Sequence, residues 1–397
     1  MLQLKVKLSY PRLLKLQLLY RFMNEIDATL VLAHTPFLGA ASIKKAVDFL
    51  GSASAVLHAI KNQIVLPFTL RQESLDYLLN CENKTNWQED KLLVEKEMVT
   101  IIPYTSCKFP EMLKQISDAP PLIYVKGTLP EKKTPWVAIV GTRAASFQAM
   151  EDAQRFATIL AQKGVVVISG LARGIDTAAH KGSLVYSPTC GATIAVIGSG
   201  LCDIYPTENI QLANQIAASS SSAVISEFPM NLAPSRYTFP KRNRIISALS
   251  DAILLCEAPR KSGGMITMEL GAKHKKKLFA LPGRAGGENS CGNNWLIKSG
   301  LAQLVDHPEE ILAALGFTSD FTHLKSQISE KCTFSESQFT KDEQKIVGLL
   351  MRSQLSLDEL VGINSMPIST LQAILIKLIL KKIVLELPGK RYKLNRN

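Results

Sequence analysis

Six short apolar runs recur along the middle of this chain, and amphipathic stretches separate them. The runs are Trp136–Val140, Val165–Ser169, Thr193–Ile197, Ala223–Ser226, Ala252–Cys256 and Leu278–Leu281. Each run is continuous, and the first four are rich in β-branched residues, which is typical of strands that are buried on both faces. The stretches between them include Gln148–Gln162, Ile175–Leu184 and Gly264–Lys275. Strand and helix in alternation predict an α/β fold, with a mainly parallel sheet and helices on both of its faces.

The composition of the sequence and the spacing of its apolar residues change three times along the chain. Residues 1–115 contain short predicted helices, and residues 116–316 hold the alternating runs. Residues 317–340 are polar and rich in Ser and Thr, as linkers often are. Residues 341–397 are basic, with apolar residues at helical spacing. We therefore predict an N-terminal helical domain, a central Rossmann-like domain, a linker and a small C-terminal domain; whether residues 1–25 belong to the folded protein stays open.

Composition narrows the class of protein. Hydrophobic residues make up 46% of the 397, which excludes disorder as the main state. The formal net charge of +12 favours polyanionic partners, with nucleic acid ranked first and an anionic membrane surface second.

The spacing of the cysteines and the apolar segments of the chain indicate in which cellular compartment the protein lies. The seven cysteines are widely spaced without a C-x-x-C pair, which argues against a disulfide scaffold or a zinc ribbon; they are Cys81, Cys107, Cys190, Cys202, Cys256, Cys291 and Cys332. The stretch Leu8–Phe22 is interrupted by Arg12, Lys15 and Arg21, so it matches neither a membrane span nor a signal peptide. An amphipathic helix and an upstream start codon both remain open for it, and we predict a cytoplasmic protein without a membrane span.

The loops after the predicted strands are where a ligand is expected, because ligands of parallel sheets bind at the carboxyl ends of the strands. Gly141-Thr142-Arg143 follows the first run, and Gly170–Asp176 follows the second. Glycines let a phosphate approach the backbone closely, and a guanidinium suits a pair of phosphate oxygens. These loops lack both G-x-G-x-x-G after the first run and the G-x-x-x-x-G-K-[ST] motif, so we predict no nucleotide cofactor.

Two further segments favour anion binding. In Phe239–Ser247 three cations lie within four residues at a predicted helix start. Positive charges are unfavourable there because they oppose the helix dipole, so their presence indicates that they bind an external phosphate. The neighbouring Tyr237 and Phe239 could stack on bases. The turn Ser262-Gly263-Gly264 before another helix is a second candidate cradle. By contrast, we interpret His274–Lys277 as a solvated helix end at the opposite edge of the sheet.

Seven blocks occur in the order of a known family: VAIVGTR, ISGLARGIDTAAH, IAVIGSGLCDIYP, ISEFP, FPKRNRIISALS, SGGMIT and LPGR with GNNWLIKSGLA. Over about residues 100–305 the chain thus resembles the DNA-processing protein A family (DprA, also called Smf). Thr35–Gly39 before Ile43–Leu50 resembles the degenerate helix-hairpin-helix (SAM-like) entry of its N-terminal domain, with Ala40 or Ala41 in place of the second hairpin glycine. The tail resembles a winged helix, with helices at Glu343–Met351, Leu357–Val361 and Ile368–Lys381 and a hairpin at Val384–Leu394.

The resemblance implies a protein that binds and protects incoming single-stranded DNA in natural transformation and homologous recombination. It also implies a homodimer that helps to load the RecA recombinase, with no enzymatic activity and no cofactor or metal. Matching motif positions give the candidate DNA contacts as Arg143, Gly170, Arg173, Gly174, Lys241, Arg242, Asn243, Arg244, Ser262 and Gly263. The block SGGM departs from the more usual Ser-Gly-Ser, and the backbone cradle is expected to survive this change.

Two alternatives remain at this stage. Ser262-Gly263-Gly264 with Thr267 and Glu269 loosely resembles the signature of nucleotide phosphoribohydrolases. In that case Glu269 would help to break a glycosidic bond, and Arg173 or Arg244 would hold the phosphate of a nucleoside monophosphate. The other alternative is a sequence-specific regulator that reads DNA with its winged tail, for which Gln372 and Lys377 are the candidate base-reading residues.

Overall fold

The computed structural model describes residues 23–62, 64–185, 192–317, 340–350, 355–363, 367–381, 383–387 and 389–394. They form two compact units, one up to residue 317 and the other from residue 340 onward. Several predicted features lie outside the described residues: the segment Leu8–Phe22, nearly all of the predicted linker, Cys190, Cys332 and Pro388 of the predicted wing turn.

Helices open the first unit: α1 (Glu25–His34), α2 (Ala40–Leu50), α3 (Ala53–Lys61), α4 (Gln72–Leu79) and α5 (Asn86–Lys96). Strands and helices then follow as β1 (Thr100–Pro103), α6 (Glu111–Lys114), β2 (Leu122–Gly127), β3 (Trp136–Val140), α7 (Phe147–Gln162), β4 (Val166–Ser169) and α8 (Ile175–Leu184). After residues 186–191 come β5 (Ala192–Val196), α9 (Ile210–Ala218), β6 (Ala223–Ser226), α10 (Thr238–Leu249), β7 (Ala252–Leu255) and α11 (Gly263–Lys273). The unit ends with β8 (Lys277–Ala280), α12 (Cys291–Lys298), β9 (Gln303–Leu304) and α13 (Pro308–Ala314).

All nine strands of this unit form one sheet, in the order β1-β2-β6-β5-β4-β3-β7-β8-β9. The seven strands from β6 to β9 in this order pair in parallel, whereas β2 pairs antiparallel with both β1 and β6. The predicted α/β, mainly parallel sheet is therefore confirmed, and the six predicted strands lie within one residue of their observed bounds. Three further strands, the six-residue β2 and the shorter β1 and β9, extend the sheet at its edges.

The alternation of side chains along each strand divides the core between the two faces. On β3, Ala138 and Val140 belong to one buried cluster, which includes residues of α10, α11 and α12. Val137 and Ile139 belong to a second cluster, with residues of α7, α8 and α13. Both faces of the central strand are thus covered by helices, which explains why its sequence is continuously apolar instead of alternating.

The N-terminal helices share their core with the sheet. Leu30 and Val47 lie in the same buried cluster as Leu122 and Tyr124 of β2. The sheet also begins before the boundary predicted at residue 115, because β1 at Thr100–Pro103 pairs with β2. This edge strand has only four residues and a half-exposed sequence, so its apolar content is too small for a strand signal.

The second unit contains α14 (Lys341–Leu350), β10 (Leu355–Ser356), α15 (Leu357–Ile363), α16 (Ile368–Leu380), β11 (Val384–Leu387) and β12 (Arg391–Leu394). Its three strands pair antiparallel in the order β10-β12-β11. Leu371, Leu375 and Leu378 of α16 form its core with Val384 and Tyr392. These elements lie where the sequence predicts helices and a hairpin, and the assignment as a winged helix stays a prediction.

A search of the described helices finds none that is long and apolar enough by itself to cross a membrane. One pair, Leu357–Ile363 and Ile368–Leu380, satisfies length and composition only when its two members are counted together across a 120° bend.

Candidate nucleic-acid interface

The order of the strands creates a crevice at the carboxyl ends of β3 and β7. The chain leaves β3 towards β4 on one side, and β7 lies on the other side of β3, so the loops after these two strands diverge. The crevice holds a cleft of about 460 Å³, which we call the rim cleft. It is lined by residues of the loops after β3, β4 and β7 and of the first turns of α10 and α11. This is the edge of the sheet at which the sequence predicts a ligand.

Glycines allow these loops to pack closely. Gly174, the residue before α8, has a φ of +74°, and a Cβ on it would lie 2.5 Å from the carbonyl oxygen of Thr142. A Cβ on Gly264 at the start of α11 would lie 3.2 Å from the Cα of Gly141. Any side chain at either position would force the loops apart, so these glycines fix the width of the crevice.

Glu257, directly after β7, ties the loop after β3 in place. Its carboxylate accepts hydrogen bonds from the backbone N–H of Ser146 at 2.7 Å and from the Ser146 hydroxyl at 3.0 Å. Ser146 in turn caps α7 by accepting from Ala149 N at 3.2 Å. The backbone carbonyl of Glu257 accepts from Thr142 N at 2.7 Å. The position of Arg143, next to Thr142, is therefore set by hydrogen bonds and not by its own contacts alone.

Two of the predicted cations, one in the rim cleft and one beside it, are exposed and lack an ion-pair partner among the described residues. Arg143 lines the rim cleft from the loop after β3, and Lys241 lies in the first turns of α10. Arg173 is also exposed, but its Nη2 lies 2.6 Å from Glu208 Oε1. Glu208 raises the pKa of Arg173 through this hydrogen bond and its charge. Arg143 and Lys241 are thus available to an anion, whereas Arg173 must first exchange a carboxylate for it.

An aromatic pair lies between the two arginines. The rings of Tyr205 and Phe239 have centroids 5.8 Å apart and are tilted by 55°. The guanidinium of Arg143 lies 4.7 Å from the centroid of Phe239, and that of Arg173 lies 6.0 Å from the centroid of Tyr205. Cation, ring, ring and cation thus follow one another along the rim, a sequence of groups that suits both phosphates and bases.

Arg242 lies beneath the surface, with 4% of its area exposed. Its Nη1 donates to the carbonyl oxygen of Val196 at the end of β5. Burial lowers the pKa of Arg242 to about 10, and the nearby Asp176 opposes this change. Gly170 is buried directly against it, because a Cβ on Gly170 would lie 1.8 Å from Arg242 Nη1. Neither residue is therefore exposed in the way that the sequence motif suggests.

Asn243 and Arg244 are buried as well. The side-chain amide of Asn243 donates to the carbonyl oxygen of Gly263 at 3.3 Å and so links α10 to α11. Arg244 Nη2 binds Glu227 Oε2, and its Nε lies 3.1 Å from Asp118 Oδ2. Burial raises the pKa of Glu227, and the charge of Arg244 opposes this rise. One loop residue, Glu227, is thus fixed by a cation that the sequence assigns to DNA.

The predicted cradle at α11 has the geometry of a helix cap. Ser262 accepts from Met265 N at 3.4 Å, and Gly263 is exposed with open space where a Cβ would lie. The sequence analysis missed three residues that the structure brings to the same edge: Arg236 and Lys261 line the rim cleft, and Tyr205 lies in the aromatic pair. Tyr205 stands in the block IAVIGSGLCDIYP, and this block is the only signal in the sequence that could have identified it.

The residues of the two alternatives lie elsewhere. Glu269 is exposed on α11 and does not line the rim cleft, although Thr267 does. In the second unit, Lys377 Nζ lies 3.0 Å from Glu343 Oε1. Among the described residues, one group has metal-ligand spacing, namely Asp306, His307 and Glu310. Its Glu310 carboxylate accepts from the backbone N–H of both other residues, which is the arrangement of a helix cap.

Comparison with known proteins identifies relatives. The sequence model of the family described as DNA recombination-mediator protein A matches residues 100–316. Protein Smf of Escherichia coli is 42% identical over 217 residues, which cover 55% of this chain and 57% of the relative. Protein Smf of Synechocystis is 31% identical over 313 residues, or 72% of this chain and 77% of the relative. The chain thus spans little more than half the length of the Escherichia coli relative.

Among solved structures, DNA processing protein A from Streptococcus pneumoniae is 31% identical, with a TM-score of 0.57 over 73% of this chain and 98% of that chain. The matched segment contains the sheet and the loops that form the rim cleft. On this match, together with the fold and the seven sequence blocks, the chain belongs to the DNA recombination-mediator protein A family.

Proposed function

We propose that this protein binds single-stranded DNA along the rim cleft and acts as a recombination mediator, without enzymatic activity. The observation that carries the proposal is the row formed by Arg143, Phe239, Tyr205 and Arg173 at the carboxyl end of the sheet. Cationic groups hold phosphates, and aromatic faces take up bases that are not paired in a duplex. Phosphate contacts carry no base information, so we expect little sequence preference.

The ten candidate residues divide into two groups under this proposal. Arg143, Arg236 and Lys261 of the rim cleft contact phosphates directly. The exposed Arg173 and Lys241, which lie beside that cleft, join them. The backbone at Ser262-Gly263 adds free N–H groups at the start of α11. The other five, namely the buried Gly170, Arg242, Asn243 and Arg244 and the half-buried Gly174, support the loops from beneath.

Stacking fits a single strand better than a duplex. Phe239 is half-buried and lies between the exposed Arg143 and the ring of Tyr205. A base can reach such a ring only if it leaves its own stack, which is easy in a single strand and costly in a duplex. Each stacked base contributes about 1–3 kcal/mol, so even one such contact separates the two forms of DNA.

The proposal extends to the wider role that the family resemblance implies. A strand held on an open rim remains accessible along its length, as a mediator that hands DNA to the RecA recombinase requires. We place the protein in the cytoplasm, as a homodimer, in the protection of incoming DNA during natural transformation and homologous recombination. Coprecipitation of RecA with the DNA-bound protein and sedimentation of the free protein test these two partners separately.

The direct test is fluorescence anisotropy of a labelled oligothymidine across a salt series, with unlabelled duplex as competitor. If about four phosphates are neutralised, the log–log salt slope of the wild type is about −3, at roughly 0.7 per phosphate. The double variant Arg143→Ala, Lys241→Ala loses two contacts, so its slope falls to about −1.4. As a control, Lys84→Ala, Lys181→Ala removes the same charge at exposed positions that lie outside both the rim cleft and the cleft that Lys241 lines. Preference for duplex, or equal binding by both variants, would refute the site.

A further inference from the structure

A second cleft adjoins the rim cleft at the start of α10. It has a volume of about 820 Å³, and its lining comes from α6 with the loop that follows, from α10, and from the end of α11. Pro240 lines both clefts, and Lys241 beside it lines the second. A chain molecule that leaves the rim cleft at Pro240 therefore enters the second cleft without crossing other elements.

The lining of this cleft is strongly basic. Its cations are Lys241, Arg244, Lys273, Lys275 and Lys276, against one carboxylate, Asp118. Asp118 is already engaged, since its Oδ2 lies 3.1 Å from Arg244 Nε. The excess positive charge comes from the first half of α10 as well as from the end of α11 and the turn after it, so the preference of one helix end for cations does not account for all of it.

Arg244 presents an unused donor at the cleft. Asp118 and Glu227 hold its Nε and Nη2, which fixes the orientation of the guanidinium. Its Nη1 is buried and has no hydrogen-bond partner within the described part of the chain. Arg244 is 9% exposed, and a buried donor without a partner is costly unless a ligand or water satisfies it.

The positive electrostatic potential inside the cleft also affects His274, which lines the cleft. Burial, followed by the charge of Lys276, lowers the pKa of His274, and Arg244 and Lys273 lower it further. The imidazole is held by Ser247, whose hydroxyl lies 2.9 Å from His274 Nδ1. Cations that disfavour a further positive charge favour a negative one at the same place, so an anion would relieve this repulsion.

We propose that the second cleft is a phosphate site that takes the continuation of a bound single strand after it passes Pro240. This inference rests on the proposed function and adds a length requirement to it: the rim cleft alone serves a short strand, and both clefts serve a long one. Arg244 thus supports the rim cleft by holding Glu227 and contacts the strand in the second cleft alone. There the phosphate groups lie against its Nη1 and against the ammonium groups of Lys273 and Lys275. The interpretation of His274–Lys277 as a solvated helix end is replaced by a binding role for this segment.

The test compares two strand lengths in one variant. Lys273→Gln, Lys275→Asn removes two exposed charges of the cleft; Asn is chosen because Lys275 has a φ of +56°, which Asn tolerates. Lys84→Gln, Lys181→Gln is the matched control, since these exposed lysines line neither cleft. Anisotropy is measured with oligothymidines of about 6 and about 20 nucleotides over a salt series, because site sizes on such proteins fall in this range.

The cleft variant is expected to lose about tenfold in affinity for the long strand, and its salt slope becomes shallower by about 1.4. For the short strand, its affinity changes by less than about twofold, as does that of the control for both strands. Equal losses on both lengths, or no loss on either, would overturn the second cleft while the proposed function stands. Failure of the wild type to bind either strand would refute the proposed function and this inference with it.

Thymidine 5′-monophosphate provides the remaining arm, because a free nucleotide offers the same phosphate chemistry as a strand. If the wild type binds it, the cleft variant does not, and the two proteins bind the long strand equally, then the cleft is a nucleotide site. That result would overturn the proposed path of the strand.

Discussion

The candidate residues divide into those that contact DNA and those that hold the loops in place, and Arg242 tests this division most directly. The sequence places it in a basic block at the rim, whereas in the fold it is 4% exposed and donates to Val196 O beneath the loop at Gly170. We predict that Arg242→Met lowers stability and leaves the intrinsic affinity for single-stranded DNA almost unchanged. Met keeps a long apolar side chain in the space while removing the charge.

The expected loss of stability in Arg242→Met follows from the interaction of the Arg242 charge with the buried Asp176. Asp176 is buried, burial raises its pKa, and the positive charge of Arg242 opposes this rise most strongly. Arg242 donates to Val196 O and forms no salt bridge with Asp176 among the described residues. The cost of about 3–5 kcal/mol for removing one partner of a buried ion pair is therefore an upper limit here. Because Asp176 also accepts from the N–H of Gly170 and Ala172, at 3.1 and 3.3 Å, part of its charge stays satisfied. We therefore expect about 3 kcal/mol, or roughly 5 °C in Tm for a unit of this size.

The assay is urea unfolding followed by circular dichroism, beside anisotropy under conditions in which the variant is folded. The second-site variant Arg242→Met, Asp176→Asn should recover about half of the lost stability, because the buried carboxylate is then neutral. An Arg242→Met protein that is as stable as the wild type but binds at least tenfold more weakly would refute the reasoning, because it would make Arg242 a direct contact.

Three further predictions concern the same edge and its core. Glu208→Gln frees Arg173, so single-strand affinity should rise by about two- to fourfold and the salt slope steepen by about 0.7; an unchanged slope would show that the ion pair does not compete with phosphate. Phe239→Leu should cost about 1–3 kcal/mol of binding, whereas Phe239→Tyr retains it, as anisotropy can show. Burial lowers the pKa of His180 to about 3, so between pH 6.5 and 3 the unfolded state binds a proton that the folded state does not. The free energy of unfolding therefore falls as the pH falls through this window, by up to roughly 1.4 kcal/mol per pH unit. In His180→Gln the urea midpoint should change less between pH 7 and pH 5 than in the wild type.

The sheet was predictable because its signal is local and redundant. Each of the six predicted runs is almost entirely buried, so its continuous apolar sequence marks it without knowledge of its neighbours. The edge strands β1 and β9 lacked that signal, because Thr100–Pro103 is half-exposed and both residues of Gln303–Leu304 are exposed. The integration of the N-terminal helices into the core was equally hidden, since it depends on which helix meets β2 and not on the helices themselves.

The candidate site was predictable as an edge of the sheet but not residue by residue. Gly141 and Gly174 could be assigned from the turn chemistry after a strand. Tyr205 could be noticed only as a member of the block IAVIGSGLCDIYP, because it reaches Phe239 from a loop that carries no aromatic pattern. Glu208 illustrates the same limit for charge: nothing in the sequence connects it to Arg173, 35 residues away, yet the pair decides whether that cation is free.

The segment Lys241–Arg244 shows why a run of cations does not measure the charge that a ligand meets. Successive residues of a helix are turned by about 100°, so four in a row face nearly all directions. Here α10 packs against the sheet, α6 and α11, which leaves Lys241 in solvent and covers Arg242, Asn243 and Arg244. Asp176 and Glu227 offset the two buried charges, so of three cations in the block one remains free at the rim. The free charge of the site must instead be counted from Arg143, Lys241 and their exposed neighbours, and the salt slope of binding measures that number directly.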